Sequence, residues 1–121
     1  MSTIPAAESG VPFLLQDAQT TGNGNVLAIP PSFRSHIFII RGNGIIGAGA
    51  IQLETADDPD YTGTWAAIPK PDGTASTPIT VVSSAEIVFI YSGILKCVRA
   101  RISTTVTTTT VTVTYLGAKS Y

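Results

Sequence analysis

The stretch Thr104 to Leu116, TTVTTTTVTVTYL, decides the fold class. Its second half sets Val111, Val113 and Tyr115 against Thr112 and Thr114, the period of two that places alternate side chains on opposite faces of a strand. β-Branched residues are stiff at χ1 and pack well on a pleated surface, so this composition favours extended backbone over helix. The stretch also lacks charge and proline. As an exposed edge it would invite strand addition, so it is expected to run as one strand that is central in its sheet or paired across a subunit boundary.

Moving outward, the same reading recurs at short intervals. Leu95 to Ile102 sets Cys97, Arg99 and Arg101 against Val98, Ala100 and Ile102. Ser92-Gly93 separates it from a strand at Ala85 to Tyr91, and a further strand is expected at Pro78 to Val82. Pro69-Lys70-Pro71-Asp72-Gly73 is a turn, preceded by a short strand at Thr64 to Ile68 whose Trp65 is expected as a core anchor between sheets. Ile45 to Thr55 alternates Ile51 and Leu53 with Gln52 and Glu54, as a half-buried strand does. Ser35 to Arg41, SHIFIIR, is nearly continuous in apolar residues and suits a sheet centre, with Phe38 and Ile40 as core residues. Gly42-Asn43-Gly44 and Gly22-Asn23-Gly24 have the chemistry of hairpin turns. Asn25 to Ile29 and Pro12 to Gln16 are the remaining extended runs. No helical apolar period of useful length and no internal repeat interrupts this series. The expectation is an all-β chain, a single β-sandwich of jelly-roll or related Greek-key topology with eight or nine short strands over residues 11–121, preceded by a flexible N-terminal arm, residues 1–10.

The chain has 121 residues, enough for one hydrophobic core. Charged residues make up 12% and hydrophobic residues 44%, against roughly 25% charged in an average soluble domain. Seventeen Thr and ten Ser fill part of the gap, but the mean hydropathy is still positive. Such a surface is expected to be covered in part by another protein. No apolar run approaches the roughly 18 residues of a membrane span, so no membrane partner is expected. The N-terminus has neither the basic start nor the apolar stretch of a secretory signal. A net charge of −1 argues against nucleic acid as the main partner. Cys97 is the sole cysteine, which excludes an intrachain disulfide and fits synthesis in a reducing cytoplasm.

Few constellations carry chemistry. Gly42 to Gly47 matches G-x-G-x-x-G by letter, but a pyrophosphate site needs a helix next, and Ala48 to Thr55 reads as a strand. Asp57, Asp58 and Asp60, with Glu54 nearby, could offer oxygens to Ca²⁺, yet no EF-hand spacing is present and Pro59 fits a solvated turn. No metal and no cofactor are expected. His36 is the sole histidine and has no nucleophile elbow to serve, so it reads as a hydrogen-bonded structural residue. Cys97 reads as a small buried filler. Arg99 and Arg101 form an outward-facing basic pair, either solvated with cross-strand partners such as Glu86 or part of an interface. With no acid/base or nucleophile pair visible, no enzymatic activity is expected.

The order of these features resembles small β-sandwich virion accessory proteins of tailed bacteriophages, those of the head-decoration or cement type above all. The resemblance is carried by the Gly-rich turn after a strand (Arg41 to Gly44), the alternating strand Ala50 to Glu54, the acidic loop, Gly63-Thr64-Trp65, the strand Cys97-Val98-Arg99-Ala100 and the Thr/Val-rich last strand. It implies a structural protein that binds the major capsid protein, or another virion protein, on the capsid exterior as a dimer or trimer. It also implies an N-terminal arm that reaches a neighbour. On that reading the candidate contact residues are Ile4 and Pro5 in the arm, Arg99 and Arg101, and Thr108 and Thr110. Neck or tail accessory proteins fit nearly as well. The alternative is a carbohydrate-binding or adhesion module, which requires Trp65, Tyr61, Tyr91 or Tyr121 to face solvent beside polar acceptors.

Overall fold

The computed structural model of the chain describes residues 4–44, 47–69, 79–80 and 86–119. Nine strands follow in order: β1 (Phe13–Gln19), β2 (Leu27–Ala28), β3 (Phe33–Gly42), β4 (Ala50–Thr55), β5 (Ala66–Ala67), β6 (Ile79–Thr80), β7 (Ile87–Ser92), β8 (Cys97–Thr104) and β9 (Val111–Lys119). One sheet has the order β1-β9-β3-β7 and the other β2-β8-β4-β5, with β6 also pairing β4. All these pairings are antiparallel. β5 meets Glu54 and Thr55 while β6 meets Ala50 and Ile51, so the two short strands share one edge of β4 end to end.

The pairing is nested: β1 with β9, β2 with β8, β3 with β7, and β4 with β5 and β6. A long antiparallel hairpin of this kind, folded over so that β9 also meets β3 and β8 also meets β4, is the jelly roll. The all-β sandwich expectation therefore holds, and the Thr/Val-rich strand lies at the centre of its sheet, between β1 and β3.

The register of each strand sends alternate residues into the space between the sheets. β3 contributes Phe38 and Ile40, and β9 contributes Val111, Val113 and Tyr115, all without exposed area. Ile51 and Leu53 of β4 and Val98, Ala100 and Ile102 of β8 face them from the other sheet. The Phe38 ring meets Tyr115 edge-on at 5.3 Å and Phe89 at 6.1 Å, the T-shaped geometry aromatic quadrupoles favour. One polar side chain crosses this layer. A bulge in β1 puts both Leu15 and Gln16 inside, and the Gln16 amide donates to the carbonyls of Ala100 on β8 and Gly22. That gives the buried amide its partners and ties the two sheets together.

Several boundaries differ from those read in the sequence. The Thr-rich stretch is not one strand: β8 runs to Thr104, residues 105–110 turn, and β9 starts at Val111. Thr108 takes a left-handed φ of 74° and its hydroxyl accepts from Gly47 N, while Thr110 Oγ1 accepts from the Asn43 amide. Threonine hydroxyls that bond nearby chain in this way compete with the strand ladder. Gly42-Asn43-Gly44 makes no hairpin, because β3 and β4 lie in different sheets; Gly42 pairs with Val111, and Asn43 N donates to Thr110 O. Nor is the N-terminal segment free over Pro5–Gly10. It bridges Ala28 of β2 through Ala6 and Gly117 of β9 through Ser9, and Ala7 is buried. The turn expected at Lys70 to Gly73, Tyr121, and all of the strand expected at Pro78 to Val82 except β6 lie outside the described residues.

Candidate functional site

Three surfaces hold the side chains that could carry function. The first is the outer face of the β8–β4 pair. Glu54 stands opposite Arg99, and Gln52 opposite Arg101. The buried Glu54 carboxylate accepts from Arg99 Nε at 2.9 Å on one oxygen, and from Arg101 Nε at 3.1 Å and Gln52 Nε2 at 2.6 Å on the other. The Arg99 guanidinium also lies over the Trp65 ring, 4.3 Å from its centroid, a cation–π arrangement. The arginines thus face Glu54 rather than Glu86. Arg99 is largely spent inside this cluster, and Arg101 keeps about a third of its side chain in solvent (36%). Trp65 is buried, but it packs on Arg99 outside the inter-sheet cluster rather than within it. Its indole N–H donates to Tyr61 O.

The second surface is a groove of about 580 Å³ between the β4–β5 loop and the β7–β8 turn. Asp57, Asp58 and Tyr61 line one side, and Tyr91, Ile94 and Lys96 the other. Asp58 organises the acidic loop as an ordinary turn, its carboxylate accepting from Asp60 N and its carbonyl from Tyr61 N. Among the described residues no three His, Cys, Asp or Glu side chains converge as a metal site would need. Tyr61 is half exposed and Tyr91 partly buried, while Ile94 projects outward. Cys97 is buried; its thiol donates to the carbonyl of Ala56, a groove-lining residue, and burial pushes its pKa up, the opposite of an activated thiolate.

The third surface is the outer face of the four-stranded sheet. The register aligns Val88 and Ile90 of β7 with Ile39 and Ile37 of β3, and these with Thr114 and Leu116 of β9. Leu14 of β1 stands beside Thr114. Val88 is 57% and Ile90 52% exposed, Leu14 is exposed, and Ile37, Ile39 and Leu116 are half-buried. This is a contiguous aliphatic face with no charged side chain among these positions.

His36 is fully buried on the inner side of the same sheet. Its Nε2 lies 2.9 Å from Gly93 O, which can only accept, so the proton sits on Nε2 and Nδ1 accepts from the Tyr115 hydroxyl at 2.6 Å. Burial lowers the imidazole pKa against the raising effect of the Gly93 bond, and burial pushes the Tyr115 phenol up. The pair is thus a neutral structural link.

No protein-family model and no curated protein matches the chain. Among solved structures, the SPBc2 prophage-derived protein YomS shares this fold. Its TM-score is 0.60 over 89% of this chain and 92% of YomS, at 14% identity. Coverage on that scale takes in the whole sandwich rather than a local motif, and at that identity the likeness to YomS is one of fold.

The sequence-predicted contact residues do not come together. Ile4 and Pro5 line a shallow cleft with Phe13, Asn25 and Asp60. Arg99 and Arg101 belong to the Glu54 cluster, and Thr108 and Thr110 to the turn that meets Gly47 and Asn43. The aliphatic outer face was missed. Its signal was present in Ser35 to Arg41 and Ala85 to Tyr91, where apolar residues fill both alternations, but a strand covered on both faces gives the same pattern.

Proposed function

We propose that the protein is a structural component of a phage particle, a capsid decoration or cement protein that binds the assembled head. On this reading it is made in the host cytoplasm, self-associates, and sits on the capsid exterior against the major capsid protein. The carrying observation is the uncharged aliphatic face of Ile37, Ile39, Val88, Ile90, Leu116 and Leu14 on a domain whose chain is only 12% charged. Exposed contiguous apolar surface on a small domain marks a protein contact site. The likeness in fold to a prophage-derived protein supports a phage setting. Function then lies in added contact area between neighbouring capsid subunits, which stabilises whatever assembled state it binds. The test is co-sedimentation with mature and immature capsids of the source phage. Saturable binding that Ile39→Lys abolishes, with an unchanged circular dichroism spectrum, is the expected result. Absence of affinity for every virion component removes the proposal.

The groove favours a second reading, a carbohydrate-binding or adhesion module. The half-exposed Tyr61 ring beside Asp57 and Asp58 is the pairing of an apolar platform with hydrogen-bond acceptors that sugar recognition uses. Because Trp65 donates to Tyr61 O, indole fluorescence reports on this loop. A saturable change on glycan titration, lost in Tyr61→Ala, selects this reading over the first.

A further inference from the structure

The sandwich has four sheet edges, and three of them are protected against strand addition in ways the structure makes plain. β1 is interrupted by bulges, carries Asp17, and has its free side capped by Asn25, whose main-chain N donates to Leu15 O and whose amide donates to Leu14 O. β2 is two residues long and is covered by the N-terminal segment, Ala7 N donating to Ala28 O and Ala28 N to Pro5 O. The edge beyond β4 is split into the two-residue pieces β5 and β6. These are the means by which natural sheets blunt their edges.

Among the described residues β7 has none of them. Its six residues, Ile-Val-Phe-Ile-Tyr-Ser, pair with β3 in unbroken register from Ile40↔Ile87 to Ser35↔Ser92. They include no proline, charge or bulge, and no described strand lies on their other side. Two of them, Val88 and Ile90, project outward with more than half their area exposed. A regular, uncharged, apolar edge of this length is a template for another strand.

We infer that β7 is a homodimer interface, pairing antiparallel with β7 of a second copy across a twofold axis at Phe89. The strand is complementary to itself in that register. Directly opposed residues in an antiparallel pair share a face, so Phe89 meets Phe89 of the second copy. Val88 meets Ile90 of the second copy twice, and Glu86, just outside the strand, meets Ser92 of the second copy at each end. Each carboxylate thereby faces a hydroxyl and not its like, while the aliphatic pairs take the centre, where cross-strand packing contributes most. A charged foreign strand would find no charge in Ile87–Ser92 to read. The product is an eight-stranded sheet with closed twofold symmetry. Its outer surface joins Ile37, Ile39, Val88 and Ile90 of both copies into one apolar face. This gives a surface to the self-association in the proposed function and rests on that part of it.

Light scattering on the eluting full-length protein tests the inference with two variants and a cross-link. The wild type is expected at twice the monomer mass, Ile90→Lys at the monomer mass with unchanged circular dichroism and melting, and Ile37→Lys still at twice the mass. Ile37 shares the outer face but not the edge, so loss of the dimer in Ile37→Lys would instead indicate face-to-face packing and overturn the proposal. The double variant Val88→Cys, Ile90→Cys is expected to form disulfide-linked dimers between position 88 of one copy and 90 of the other. A wild type that stays monomeric at its highest soluble concentration, a trimer, or an absent cross-link would equally overturn it. Mixing each variant with capsids separates the two proposals. A monomeric wild type that binds heads removes only the edge pairing, and a dimer that binds no virion component removes only the virion role.

Discussion

At the scale of single residues, buried polar side chains set conditions that the apolar core does not. His36 is held neutral between Tyr115 and Gly93, with its pKa lowered chiefly by burial. An unfolded histidine takes up its proton near pH 6.5, so below that value the unfolded chain binds more protons than the folded one. The His36 contribution is therefore complete above about pH 6.5 and is lost as the pH falls toward the lower folded pKa. Thermal melts between pH 7.5 and 5 are expected to show a declining melting temperature, with a shallower slope in His36→Gln. Glu54 is a buried carboxylate, and Glu54→Gln leaves Arg99 and Arg101 without their anionic partner. A loss on the order of 2–3 kcal/mol is expected, below that of a fully buried pair because Arg101 is still wetted, and denaturant titration measures it. Gly24 has a φ of 74°, and an added Cβ would run into the carbonyl of Leu15 and come within 2.7 Å of Gln16 Nε2. Gly24→Ala is expected to cost about 2 kcal/mol or more, through backbone strain and the displaced Gln16 bond. His36 as a hydrogen-bonded structural residue was legible from its place in an apolar strand. Its partner Tyr115 lies 79 positions away, beyond any local pattern.

Among elements, protection follows pairing on both sides. β3 lies between β7 and β9, and β9 between β1 and β3, so their amides are bonded or covered along nearly the whole length. Hydrogen exchange is expected to be slowest in Ile37–Ile40 and Val111–Leu116, and faster in β2 and β5, which are two residues each. Fast exchange at Val113 would contradict the central position of β9. Strand identity was readable here because alternation is local: Gln52 and Glu54 against Ile51 and Leu53 state the faces of β4 without reference to any neighbour. The end of β8 was not readable in the same way. Thr104 to Thr110 has the composition of a strand, and what turns it is the Gly47 and Asn43 backbone and amide groups that its hydroxyls meet. The hairpin expected at Gly42-Asn43-Gly44 failed for the same reason, since the pairing of Gly42 with Val111 carries the chain on toward the other sheet.

For the whole molecule, the segment before the first strand is part of the body. Ala7 is buried, and Pro5, Ala7 and Gly10 bond to both sheets. Removal of Met1 to Gly10 is therefore expected to lower the melting temperature by several degrees. Differential scanning calorimetry on the truncated protein decides between a docked segment and a free arm. By itself the amino-acid sequence determined that the chain is all-β, that it holds one core, and which residues of most strands face inward, because each follows from side-chain chemistry read over a few positions. Only the tertiary structure decided that Arg99 and Arg101 close on Glu54, that the buried Trp65 packs on Arg99, and that β7 is the edge no described strand covers. Those depend on which strands become neighbours, and nested pairing joins residues as far apart as Phe13 and Tyr115, whose meeting is set by closure of the whole sandwich and not by any local preference.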